Sequence, residues 1–194
     1  MTVTIVLLVV GSFVSFIALG LVLLHIMQAA LTRQLQPLAN ALGGEIKRGV
    51  WRGVFVQKTD EQGEVRFGVR LRGRNVPPML YLERPRSLGF HLFLVQNNKL
   101  TKTLARLGAY KSLPTGDPLF DERYLVRVNN DLAAREYFRD ARHREVINAL
   151  FEHGFDQVHS DAKGLRVSRD NYESDQLEPA WIQRGLGLFT ELSK

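Results

Sequence analysis

Residues 3 to 27, VTIVLLVVGSFVSFIALGLVLLHIM, run for 25 positions without one Lys, Arg, Asp or Glu. A bilayer's hydrocarbon core is crossed by about 20 apolar residues of helix. In lipid only a helix or a closed barrel satisfies every backbone N–H and C=O. The stretch therefore predicts a transmembrane anchor over residues 1–27, and everything else must fold outside the membrane. A cleaved secretory signal is the alternative. Signals of that kind carry a basic leading region and an apolar run of about 7 to 15 residues. Here Met1-Thr2 brings no basic side chain, the run is longer, and it leads into the helical pattern QAALTRQLQPL. Gln28-Ala29-Ala30 keeps cleavage open, but a retained single-pass anchor is the expectation.

All 26 Lys and Arg and all 20 Asp and Glu follow the anchor, so the soluble part carries the whole net charge of +6. Arg33, Lys47, Arg48 and Arg52 are the nearest cations, and none precedes the apolar run. The positive-inside rule then places the soluble domain in the cytoplasm. The absence of cysteine fits a reducing compartment without requiring one. A basic domain tethered to a bilayer suits an anionic lipid surface or an acidic partner. It is also what simple retention beside an anionic leaflet selects, with no specific recognition.

Leu31, Leu35, Leu38 and Leu42 recur at the spacing of an amphipathic helix, which predicts a juxtamembrane helix over residues 28–44. Pro37 should bend or break it, and Gly43-Gly44 should end it. Residues 45–194 read as the soluble domain, with a β-rich part (45–128) and a helix–hairpin–helix part (129–194). In the first part, EIKRGVWRGVFVQ gives one or two strands and DEQG a turn. VRFGVRLRGR then alternates, with Val65, Phe67, Val69 and Leu71 on one face and Arg66, Arg70, Arg72 and Arg74 on the other. A period of two means one buried face. The opposite face becomes an arginine ladder, either a solvated face paired with acidic neighbours or a candidate anion-binding row for lipid or other polyanion phosphates. NKLTKTLARLG predicts a short basic amphipathic helix. In the second part, Asn130 or Asp131 and then Asp140 can cap successive helices, Gly154-Phe155 fits a Schellman stop, and DQVHSDAKGLRVSR is a hairpin turning at 161–164. Pro179 opens a last helix carrying Trp181, Ile182, Leu186, Phe189 and Leu192. Strands first and helices late, with no regular βαβ alternation, predict an α+β fold with a mainly antiparallel sheet and flanking helices.

The chemistry-bearing motifs are few. There is no cysteine, no G-x-S-x-G elbow and no phosphate-cradling glycine loop. His143, His153 and His159 lack the i, i+4 spacing of a zinc helix, so no metal site and no cofactor is expected. The one acidic concentration is TGDPLFDERYLVRV (115–128), with Asp117, Asp121 and Glu122. Asp117 before Pro118 suits an N-cap followed by the first helical position. Asp121 would be free to cap or to pair with Arg123 or Arg127, while Phe120, Tyr124, Val126 and Val128 point inward. On that reading the stretch is a hinge between the two parts. A hydrolase using Asp117 and Asp121 is the alternative, and it needs a cleft with a basic or metal partner.

Two elements carry a resemblance. LANALGG (38–44) follows the anchor, and the pattern G-D-P-x-F-D-x-x-[FY]-x-V is met by Gly116, Asp117, Pro118, Phe120, Asp121, Tyr124 and Val126. With the polar turn, the alanine- and arginine-rich helix and the hairpin of residues 129–169, the chain resembles a group of uncharacterised bacterial membrane proteins with a domain of unknown function. The likeness covers about three quarters of the chain and leaves the last helix aside. Asn129-Asn130-Asp131 departs from the Asp-Asp or Asp-Pro usual in the group before the helix, which changes the cap. The resemblance implies an inner-membrane anchor and a compact α+β domain, and no activity. The expectation is a non-catalytic binding or scaffolding protein whose partners are the bilayer and a protein at the membrane; nucleic acid is not expected. An anionic lipid or polyanion-binding module is the second reading.

Overall fold

The computed structural model describes residues 2–49, 53–70, 78–97, 112–172 and 177–194, and in the first helix the side chains of residue 13 and of residues 15 onward. The fold is α+β, an amino-terminal apolar helix followed by an eight-stranded antiparallel sheet with flanking helices.

Helix α1 (Thr2–Leu42) is continuous over 41 residues, about 60 Å at 1.5 Å per residue. Its described part, Ser15–Leu42, contains a stretch of mean hydropathy 1.9 and is long and apolar enough to cross a membrane. The expected boundary between anchor and juxtamembrane helix is a change of surroundings within one element. Phe13, Phe16 and Leu21 are exposed, whereas Leu35 and Leu38 are 0% and 1% exposed. Pro37 does not break this helix, and α1 runs past it to Leu42. Proline removes one N–H and crowds the carbonyl four residues back, at a cost of about 3 kcal/mol. Burial of Leu31, Leu35, Leu38, Ala39 and Leu42 on both sides of the proline outweighs that cost. Gly43, at φ +65°, takes the left-handed conformation that ends the helix, and Gly44 N donates to Ala39 O.

The strands are β1 (Glu45–Gly49), β2 (Gly53–Asp60), β3 (Gly63–Arg70), β4 (Met79–Arg84), β5 (Leu92–Gln96), β6 (Tyr124–Val128), β7 (Gln157–Asp161) and β8 (Gly164–Asp170). Their spatial order is β1-β2-β3-β4-β8-β7-β5-β6, and every pairing is antiparallel. The β-rich and helix–hairpin–helix parts are thus divisions of sequence only. The late hairpin β7–β8 sits mid-sheet, hydrogen-bonded to β4 on one side and β5 on the other.

Between β5 and β6 lies α2 (Pro118–Arg123); α3 (Asp131–Arg139), α4 (Ala141–Glu152) and α5 (Pro179–Leu192) follow β6. Asn130 caps α3 through Ala133 N and Asp140 caps α4 through Arg142 N. The stop after α4 is a Schellman motif, in which Phe155 N donates to Leu150 O and Gly154 N to Phe151 O, with Gly154 at φ +112°. The helices bury one face each against one side of the sheet: Leu35, Phe120, Phe138, Ile147, Leu150, Ile182 and Phe189 join Val56, Phe67, Leu82, Leu94 and Val167 in a single core. Gly185 permits the closest approach of α5, since a Cβ there would lie 3.1 Å from the Phe155 ring. One charge is sunk on this side. Arg84, 1% exposed, donates to both carboxylate oxygens of Asp60 at 2.8 and 2.6 Å, and Thr190 of α5 stands 3.4 Å from the same pair. The guanidinium of Arg84 holds the Asp60 carboxyl below its usual range against the opposing effect of burial.

Candidate functional site

The other side of the sheet is chemically different. Following the pairings from β1 to β6, residues Glu45, Gln57, Arg66, Glu83, Arg166, His159, Phe93 and Arg127 stand opposite one another in turn. A row that is polar on every strand but β5, where Phe93 stands, therefore crosses the sheet on the face away from the core. The neighbouring row contains Phe55, Gly68 and Tyr81, and Phe55, Tyr81 and Met79 form a second, small buried cluster.

The described members of the arginine ladder lie over that cluster. The Arg66 guanidinium carbon is 5.7 Å from the centre of the Phe55 ring, and that of Arg70 is 5.4 Å from the Tyr81 ring. A guanidinium over an aromatic face is attracted by the ring's negative quadrupole. Arg66 is ion-paired with Glu64 on its own strand and, at 3.5 Å, with Glu83 on β4. Arg70 has no carboxylate within ion-pair distance among the described residues, and its buried Nε has no hydrogen-bond partner. Arg72 and Arg74 lie outside the described residues, as do Leu71 and the predicted basic helix around residues 98–108.

Beside Arg70 opens a pocket of about 300 Å³, whose lining includes Glu83, His159, Asp161, Lys163 and Arg166. Arg166 Nη2 stands 3.3 Å from His159 Nδ1. Guanidinium only donates, so Nδ1 is the acceptor and the imidazole is neutral with its proton on Nε2. Burial pushes the His159 pKa down and the Arg166 charge pushes it further, against the pull of Asp161. Burial works to raise the Asp161 carboxyl, but the N–H groups of Lys163 and Gly164 and the charge of Arg166 hold it below its ordinary value, and the His159 ring, its Nδ1 3.8 Å from Asp161 Oδ2, acts in the same direction. Asp161 Oδ1 accepts from Lys163 N at 2.7 Å, so this carboxylate closes the hairpin turn. His159, Lys163 and Arg166 were not read as site residues from sequence. A signal existed, because a turn at 161–164 sets His159 opposite Arg166; joining them to Glu83 and Arg70 required the β4–β8 pairing.

The motif Gly116, Asp117, Pro118, Phe120, Asp121, Tyr124 forms a capped turn. Asp117 Oδ1 accepts from Leu119 N and Phe120 N at 3.1 and 3.2 Å, and Pro118 is the first residue of α2. Gly116 takes φ +93°, a conformation that favours glycine. Phe120 and Tyr124 are buried, their ring centres 4.6 Å apart. Asp121 does not pair with Arg123 or Arg127. Its carboxylate accepts from Thr115 N and Oγ1 at 2.9 and 2.7 Å, because the turn folds back and brings Thr115 nearer than either arginine. The cation that does reach the motif is Arg144 of α4, whose Nε is 3.3 Å from Asp117 Oδ2, a contact no local pattern announces. A recess of about 580 Å³ beside α2 is lined by Gln96, Glu122, Arg123, Tyr124 and Phe151, and neither Asp117 nor Asp121 lines it. Among the described residues no three His, Asp or Glu stand so as to hold a metal ion. His143 stacks on Tyr137 at 3.9 Å and His153 on Trp181 at 4.3 Å, both as packing groups.

Compared with known proteins, the chain matches no protein-family model, no curated protein and no solved structure.

Proposed function

We propose that this chain is a single-pass, membrane-anchored binding or scaffolding module, its soluble domain on the cytoplasmic face and its partner a protein at the same membrane. The observation that carries the reading is α1. One helix runs from an exposed apolar stretch, with Phe16 78% exposed, into a half whose leucines are buried against the domain. Exposed leucine, isoleucine and phenylalanine on every side of a helix are unfavourable in water and favourable in lipid. With no flexible link, the domain is held at a fixed distance and angle from the bilayer, as a scaffold requires. The distribution of Lys and Arg supports the cytoplasmic side.

The absence of cysteine makes a clean test. Full-length protein carrying Ala162→Cys, in an exposed turn, is expected to stay with the membrane pellet after alkaline carbonate extraction. Its thiol should react with a membrane-impermeant maleimide only after lysis. Release by carbonate would overturn the anchor, and labelling in intact spheroplasts would overturn the side.

A second reading, an anion-binding module, is favoured by one observation, the cation Arg70 lining a pocket with no carboxylate within ion-pair distance of it among the described residues. A hydrolase has less behind it, since Asp117 and Asp121 each accept N–H bonds from their own turn.

A further inference from the structure

The outer-face pocket carries more cation than its own carboxylates engage. Glu83 faces Arg66 at 3.5 Å, and Asp161 takes the Lys163 backbone N–H at 2.7 Å. Arg166 donates towards His159 Nδ1. What remains at the pocket is the Arg70 guanidinium, the Lys163 ammonium and the Nε2–H of a neutral imidazole. For neither Arg70 nor Lys163 does a carboxylate stand within ion-pair distance among the described residues.

Arg70 is also pre-positioned, its head resting over the Tyr81 ring and its backbone paired with Met79 at the end of β3. A guanidinium fixed in this way loses little freedom on gripping an oxyanion. Lys163 adds a point charge from the hairpin turn, and the imidazole adds a neutral donor. Two cations and one neutral N–H around a space of about 300 Å³ match a group with three peripheral oxygens and about two negative charges better than a planar carboxylate, which a single guanidinium satisfies bidentately.

We propose that this pocket is a binding site for a phosphate monoester group, gripped by Arg70 and Lys163 and oriented by the Nε2–H of His159. The proposal rests on the anion-binding reading and gives it a ligand class and an address. It does not depend on the anchor, whose failure would be seen in the carbonate extraction instead. The phosphate could belong to a soluble metabolite or to a lipid headgroup, since both present the same oxygens.

The test uses full-length protein in dodecyl-maltoside micelles, which contain no phosphate, titrated calorimetrically with glycerol 3-phosphate. A second arm repeats the titration after mixing phosphatic acid lipid, as dioleoyl phosphatidate, into the micelles. Saturable binding is expected, weakened at least about tenfold by Arg70→Gln and by Lys163→Gln, as loss of a charge-assisted hydrogen bond predicts. Arg135→Gln, at an exposed position of α3, should leave the affinity unchanged. Lys163 lies in an exposed turn, so its variant reports on the site even where Arg70→Gln disturbs packing over Tyr81. Binding in the first arm that the phosphatidate competes away would assign the site to the lipid headgroup, and binding that survives would assign it to the soluble ester. No saturable binding of either phosphate, or wild-type affinity in both pocket variants, would overturn the proposal.

Discussion

The two faces of the sheet use opposite means of covering β-structure. On the inner face, Val56, Phe67, Leu82, Leu94, Val158 and Val167 meet four helices and part of α1 in one continuous core. On the outer face the strands offer a mostly polar row and three buried residues, Phe55, Met79 and Tyr81, with arginine guanidinium groups over two of the rings. The lesson is where energy and adaptability reside. Burial against helices stabilises the fold, whereas charges at a sheet surface contribute little to it and stay available for recognition.

The contrast breaks first at the core. Phe138→Ala, at a fully buried position touching Phe120 and Tyr137, is expected to cost about 3 to 5 kcal/mol, seen as loss of the cooperative thermal transition by circular dichroism in detergent. A variant that melts like the parent would mean the inner core is not continuous. Next comes the sunken charge. Asp60→Ala strands Arg84 in a buried position and should cost about 3 kcal/mol; the double replacement Asp60→Leu with Arg84→Met should restore most of it. A double variant weaker than the single would show that the pair itself stabilises. On the outer face Arg66→Gln, despite two carboxylate neighbours, is expected to shift stability by no more than about 1 kcal/mol, measured by urea denaturation. A loss as large as that of Phe138→Ala would erase the distinction between the faces.

The smallest effect is a pH dependence. His159 and His153 both have lowered pKa values in the fold, chiefly through burial. In the unfolded chain each takes up a proton near about pH 6.5, and in the folded chain only at lower pH. The unfolded state then binds more protons, so stability present above about pH 6.5 is lost as the pH falls through that value. His159→Gln should flatten the decline in melting temperature between about pH 7 and about pH 5.5. An identical slope in that variant would place the effect elsewhere.

Much of the frame was legible because it depends on local rules. The period-two pattern named Val65, Phe67 and Val69 as inward, and each is buried. The caps at Asp117, Asn130 and Asp140 followed from residue type and the position of a proline or an apolar run. Pro37 did not end the helix because local propensity was overruled by leucines packed on both sides of it. The role of Asp121 was missed because a turn that closes on Thr115 leaves no trace in side-chain type. The pocket escaped for a topological reason. Arg70, Glu83, Lys163 and Arg166 are separated by up to 96 positions and meet only through a strand order that sequence does not announce.

That strand order has a consequence in time. The hairpin β7–β8 is the keystone of the sheet, and it follows every other strand in the chain. Until residues 157–170 emerge, β4 and β5 each present an unpaired edge, and four strands on one side and two on the other have nothing between them. Sheet pairing of this range is slow, and open edges invite association with other chains. Docking of the hairpin pairs both of these edges at once, so one late event closes the whole sheet.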